Sequence, residues 1–192
     1  MNAKRKNALK KFQNHVAELQ DLGDVKIITW KNADGSSVYS IRYLFDEKVC
    51  TLLITGDCGT LTAVNFDNMV FDKISDFFGN YEYFASKVVA MKNGGPYAYN
   101  RTLALEQAKE YLNLYEPEKE ALDAAMKTLE DLDFSDEKGF LGDSRSLSDV
   151  RSVDQDYWEW IGKCGKHIDT SVIYMLTGLE LAVKQLKGKP LC

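Results

Sequence analysis

Cys58 is the first residue whose type and setting could do chemistry. It lies in the stretch LLITGDCGTLTAVNF, Leu52 to Phe66, flanked by Gly56, Asp57 and Gly59. A nucleophilic cysteine needs a base within hydrogen-bond reach and surroundings that lower its pKa. The chain holds two histidines, His15 and His167, so Cys58 with His167 defines one reading, a cysteine-dependent enzyme. The same residues also read as a hairpin turn: Gly56 and Gly59 permit positive φ, and Asp57 can accept a hydrogen bond from a following amide. The turn is the favoured reading. The four cysteines, Cys50, Cys58, Cys164 and Cys192, form no CxxC pair, which signals neither a zinc site nor a disulfide framework.

Two further chemistries fail on spacing. In DLDFSDEKGFLG, Asp131, Asp133 and Ser135 occupy alternate positions. A calcium loop, however, needs glycine where Asp136 stands and a bidentate glutamate where Gly142 stands. Gly94-Gly95-Pro96 is too short to cradle a phosphate, and no GxGxxG or GKS/GKT pattern follows a strand. No metal and no cofactor is expected.

Charge is more informative. The chain of 192 residues has a formal net charge of -5 and a pI ≈ 5.1, which discourages nonspecific binding to DNA or membranes without excluding a local basic patch. Lys4, Arg5, Lys6, Lys10 and Lys11 crowd the first eleven residues with no acid among them. They are either a solvated helix start or, as an alternative function, a weak nucleic-acid contact. Residues 116–134 carry Glu116, Glu118, Glu120, Asp123, Glu130, Asp131 and Asp133 against Lys119 and Lys127. In DYWEWIGKCGKH, Trp158 and Trp160 are either packed against the last helix or anchors for a partner.

These residues need elements to position them. Leu9, Phe12, Val16 and Leu19 fall at steps of three and four, predicting a helix through ALKKFQNHVAELQDLG that Gly23 ends. Val25–Trp30, Val38–Phe45, Val49–Thr55 and Thr60–Phe66 are β-branched and aromatic runs with short breaks. Such breaks suit hairpins, so the runs predict a four-stranded antiparallel meander. Tyr39, Ile41, Tyr43 and Phe45 give it an apolar face that the first helix could cover. A helix through Phe71, Ile74, Phe77 and Phe78 follows, then a fifth strand through Lys87–Met91.

Beyond Pro96 the pattern is helical. TLALEQAKEYLNLY, PEKEALDAAMKTLEDL, DQDYWEWIGK and DTSVIYMLTGLELAVKQLK each predict a helix, with residues 134–152 as a mobile loop. The expected fold is α+β in one domain over residues 1–192. Residues 1–99 form the helix and sheet, and residues 100–192 form a helical portion that could be a separate lobe. With 45% hydrophobic and 28% charged residues, a core is within reach. The start is too polar for a signal peptide, and no run of about 18 apolar residues occurs. A cytoplasmic protein without membrane contact is expected.

The order of YSIRYLFDEKVCTLLITGDCGTLTAVNF, YFASKVVAM, YAYN and YMLTGLELAVKQL resembles an uncharacterised family of small proteins encoded by phages and prophages of Firmicutes. The resemblance covers about two thirds of the chain, and its signature, the TGDCGTLTA hairpin followed by an aromatic helix, marks a fold rather than a reaction. It transfers no catalytic residue. Small phage proteins of this kind often disarm host defences, and some are anti-CRISPR proteins that bind the RNA-guided nuclease. By that resemblance the chain is expected to be a non-enzymatic inhibitor of a type II CRISPR effector in the infected bacterial host. Its expected contacts are Glu116, Glu118, Glu120, Asp123, Glu130, Asp131, Trp158 and Trp160.

Overall fold

The computed structural model describes residues 3–92, 94–132 and 147–188. The fold is α+β, and the chain divides into two compact units, Met1–Pro96 with Ile168–Cys192, and Tyr97–His167.

The first unit opens with α1 (Ala3–Lys11) and continues into β1 (His15–Asp21), β2 (Val25–Asn32), β3 (Ile41–Asp46), β4 (Thr51–Gly56) and β5 (Gly59–Val64). A 3-10 turn (Ile74–Phe77), α2 (Tyr81–Ala85) and β6 (Val88–Met91) follow. The six strands pair in chain order, each antiparallel to the next. Register puts Ile28, Tyr43, Ile54 and Leu61 in one row across the sheet, with Phe45, Leu52 and Ala63 in the row two residues away. All of these are buried, while Arg42 and Thr60 of the opposite face are exposed, as expected for an antiparallel sheet covered on one side.

The cover is the closing helix, which is numbered α7 (Thr170–Leu186) after the helices of the second unit. It is buried from Val172 to Val183. The Tyr43 hydroxyl donates to the Met175 carbonyl at 2.8 Å. A Cβ on Gly178 would come within 2.6 Å of that hydroxyl oxygen and 3.3 Å of Ile41 and Trp30, so glycine is what allows helix and sheet to approach. α1 also packs on α7, where the Arg5 Nη2 donates to both carboxylate oxygens of Glu180 at 2.9 Å and Lys184 pairs with the same carboxylate at 3.0 Å. The apolar sheet face expected to lie under the first helix therefore lies under the last one.

The sheet has one strand more than the sequence pattern predicts, because residues 15–21, expected to be helical, form β1. The helix stops at Lys11 and Phe12–Asn14 turns the chain, with the His15 amide bonded to the Phe12 carbonyl at 3.0 Å. Leu9, Phe12, Val16 and Leu19 do have helical spacing. Pairing all seven residues of β1 with β2 satisfies the backbone groups along one edge of that strand, and this long-range gain outweighs a local period. Gln185 of α7 covers part of the free edge of β1 by accepting from the Ala17 amide at 2.6 Å. The expected helix around Phe71–Phe78 is likewise reduced to the single 3-10 turn. The Phe71 amide is drawn to Glu47 Oε1 at 2.9 Å and its ring packs edge-on to Phe45.

The second unit contains β7 (Tyr97–Tyr99), α3 (Arg101–Asn113), α4 (Lys119–Asp131), α5 (Ser148–Val153), α6 (Trp158–Ile161) and β8 (Lys166–Ile168), which pairs with β7. Its core gathers Ala104, Ala108, Leu112, Ala125, Leu129, Val150, Trp160 and Ile161. Asn100 caps α3 by accepting from the Leu103 amide at 2.9 Å. The loop expected over 134–152 is helical from Ser148, and residues 133–146, which include Asp133, Ser135, Asp136 and Gly142, lie outside the described residues. DQDYWEWIGK forms a turn and the short α6 instead of one helix, because Asp154 binds the Asp156 amide at 2.8 Å and holds the chain in a side-chain turn.

Candidate functional site

In the second unit the structure gathers aromatic and acidic groups around Asp154. This carboxylate is buried and accepts from the Trp160 indole N–H at 2.6 Å. The Trp160 ring lies flat against Tyr111, with centroids 4.9 Å apart and planes 7° from parallel. Trp160 is 6% exposed and Trp158, two residues earlier, is 58% exposed. Two residues on a helix span about 200° of arc, so the two indoles face nearly opposite ways, and the hydrogen bond to Asp154 fixes which one turns inward. Trp160 is therefore a core side chain of this unit, and Trp158, edge-on to Tyr157 at 5.9 Å, is the indole presented to solvent.

Tyr115 follows the end of α3 and is 52% exposed. Its hydroxyl is held above the ordinary tyrosine range, first by a hydrogen bond to Asp154, then by burial and by the negative charges of Asp154, Asp156 and Glu159. That hydrogen bond brings the Tyr115 hydroxyl to Asp154, four residues before Trp158 in the chain. Glu116 comes next, in a left-handed backbone conformation at φ 47, and Glu118 precedes α4; both are exposed. Glu120, Asp123, Glu130 and Asp131 fall within about 100° of arc on α4 by the helical step, and all four are exposed. Lys127 sits inside that arc and dilutes it. Asp123, Lys127 and Glu130 also line a shallow groove of ≈ 410 Å³ with Leu105, Glu106, Lys109 and Met126. The surface can meet a cationic partner: carboxylates pair with ammonium and guanidinium groups, and exposed aromatic faces accept guanidinium stacking.

The Cys58 region is a hairpin. Gly56 pairs with Gly59 across Asp57 and Cys58, and the two glycines have φ 144 and φ 116. A Cβ on Gly56 would stand 2.2 Å from the Ser40 carbonyl oxygen of the neighbouring strand connection, so the position is closed to any side chain. The Cys58 thiol is pushed up to about 11, chiefly by burial and secondarily by the Asp57 charge, the opposite of what activates a nucleophile. His167 belongs to the second unit and its Nδ1 lies 3.2 Å from the Gly165 carbonyl.

The basic start is partly committed inside the first unit. Arg5 is bound to Glu180, and the Lys11 ammonium lies 5.3 Å from the centre of the Tyr39 ring. Lys6, Lys10 and Lys11 are exposed, and Lys4 and Arg5 are half-buried. Sequence reasoning missed one polar cluster altogether, the pocket around His15, because its walls come from three separate stretches of chain. Among the described residues, no helix is long and apolar enough to cross a membrane, and no group of three or more His, Cys, Asp or Glu is placed to hold a metal ion. Comparisons with protein-family models, curated proteins and solved structures return no match.

Proposed function

We propose that the chain is a phage-encoded, non-enzymatic binding protein that acts in the cytoplasm of an infected bacterium and inhibits a host defence nuclease of the type II CRISPR class. The observation that carries this reading is the surface of the second unit where Tyr115 and Trp158 are exposed beside Asp156 and Glu159, with Glu116 and Glu118 next in the chain. A nuclease channel built to hold nucleic acid is rich in arginine and lysine. Carboxylates compete there with phosphates, and aromatic faces stack on arginine. The acidic arc of α4 extends the same chemistry. The resemblance to small phage proteins supplies the target class, and the high pKa of Cys58 favours binding over nucleophilic catalysis.

The test is retention of the effector with its guide RNA by the tagged protein, read by mass spectrometry, with DNA cleavage assayed in parallel. Recovery of the effector with loss of cleavage is expected. Trp158→Ala should weaken binding by about 2 kcal/mol or more while the monomer keeps its fold. Recovery of neither effector nor inhibition would overturn the reading. Salt-sensitive DNA retention that disappears when Lys4, Lys6, Lys10 and Lys11 are neutralised would instead assign the protein to nucleic-acid binding.

A further inference from the structure

The face of the first unit's sheet turned away from α7 carries a pattern of its own. Strand register places three rows on it: Glu18, Thr29, Arg42, Thr55 and Thr60, then Gln20, Ile27, Leu44, Leu53 and Thr62, then Val25, Asp46, Thr51 and Val64. The solvated face of an antiparallel sheet is ordinarily polar. Here Ile27, Leu44 and Leu53 lie side by side on three adjacent strands, with no charge in their row. Apolar surface continues at the end of the sheet where β1 turns into β2 and β3 into β4. Leu22 and Val49 of those turns are 66% and 58% exposed, and Phe66, just past β5, is 93% exposed. The Leu22 amide donates to the Val25 carbonyl at 2.9 Å and the Asn65 amide to the Cys50 carbonyl at 3.2 Å, so these segments extend the strand pairing. Contiguous exposed apolar surface of this kind marks an interaction site.

The strand β3 decides the occupant. Its side chains on this face are Arg42, Leu44 and Asp46, a cation and an anion two residues to either side of a leucine. Among the described residues, no ion pair within the chain takes up either charge. Glu18 and Lys31, also on this face, pair with each other at 2.9 Å. A pattern that reads cation, leucine, anion is complementary to itself when reversed. Two such faces stacked about a two-fold axis through Leu44, with strands antiparallel, set Arg42 of each copy over Asp46 of the other. An axis along the strands would put Arg42 over Arg42. Packed sheets stand about 10 Å apart, a gap that an extended arginine and an aspartate side chain together span. Six strands about 4.8 Å apart and about 20 Å long give a face of about 500 Å² in projection. With side-chain relief, two such faces bury roughly the 1,200 Å² at which specific interfaces begin.

We propose that this face joins two copies of the chain in a two-fold, sheet-on-sheet dimer, with Ile27, Leu44 and Leu53 at its centre and Arg42 of each copy paired to Asp46 of the other. Sedimentation equilibrium of the full chain from about 1 μM to about 300 μM should approach twice the 21.7 kDa of one chain. Arg42→Glu or Asp46→Arg, each alone, sets like charges against each other on both sides of the axis and should weaken dimerisation by about tenfold or more, with circular dichroism unchanged. An equimolar mixture of the two variants should dimerise again, because every charge then meets its opposite. In a mixed sample of 13C-labelled and unlabelled wild-type chain, nuclear Overhauser contacts between copies are expected at the Ile27, Leu44 and Leu53 methyls, a reading that needs no variant. A chain that stays monomeric at every concentration would overturn the proposal and leave the face to a different protein. A dimer without those methyl contacts, one that neither substitution weakens, or one that the mixture of folded variants fails to restore would overturn it as well.

Discussion

The two units handle polar groups in opposite ways. In the first, residues far apart in sequence bring polar atoms inside: Arg5 reaches Glu180, the Tyr43 hydroxyl reaches Met175, and Gln185 reaches Ala17. Each is a bond between the sheet or α1 and α7. In the second, hydrogen bonds are made over shorter separations, as between Asp154 and Trp160, and the acids of α4 and the segment before it stay exposed. An interior that uses its polar groups to fix helix against sheet leaves few of them on offer to a macromolecular partner. A small helical core with its carboxylates outside leaves many more. The difference places the long-range polar contacts in the first unit, and under the proposed function recognition would fall to the second unit's surface.

The comparison can be broken at several points. The largest effect is expected at Trp160: Trp160→Ala removes a buried aromatic ring and leaves Asp154 without its indole partner, at a cost of about 3 to 5 kcal/mol. Hydrogen exchange should show the loss in residues 97–167, whereas Trp158→Ala should change stability by about 0.5 kcal/mol or less. Equal destabilisation by the two would erase the distinction between core and surface indoles. Next is Glu180→Gln, which strips the carboxylate from Arg5 and Lys184 and should cost about 2 kcal/mol in urea unfolding. A neutral result would mean that this polar cluster does not hold α1 to α7. Tyr43→Phe should cost about 1 kcal/mol by the same measurement, since the Met175 carbonyl keeps a helical position.

The smallest effect is the pH dependence carried by His15. Burial holds its folded pKa below the ordinary value of 6.5, so between the folded value and about 6.5 the unfolded chain binds more protons. The stability that follows is fully present above about 6.5 and is lost as pH falls through that window toward the folded value. Thermal melts between about pH 7.5 and about pH 5 should show this loss, and His15→Gln should flatten it. Asp34, Lys10 and Lys11 are the other charged groups at this site, and a slope unchanged in His15→Gln would assign it elsewhere.

The strands β2 to β6 and the helices α3, α4 and α7 were legible because each carries its own period and its own stop. Val25–Trp30 is β-branched and aromatic, Asn100 caps α3, and Gly56 and Gly59 frame a turn that only glycine backbone angles allow. The acids of residues 116–131 were legible as a charged segment for the same reason, since charge density along a chain is a local property. By contrast, nothing within residues 12–21 reveals that they leave the helix to pair with β2, because the deciding hydrogen bonds belong to residues 25–32. Nor does DYWEWIGK say which tryptophan turns inward. That is decided by Asp154 and by Tyr111 on another helix.

The amino-acid sequence by itself thus determined the α+β class, the hairpin at Cys58, the helices α3, α4 and α7 and where negative charge accumulates, through propensities and patterns read within about ten residues. Tertiary structure alone decided that α7 rather than α1 covers the sheet, that Arg5 is spent on Glu180, and that His15 lines a pocket with Asn32 and Tyr39. Those outcomes depend on contacts between residues tens to more than a hundred positions apart. Their free energy exists once the chain is folded, and no local pattern records it.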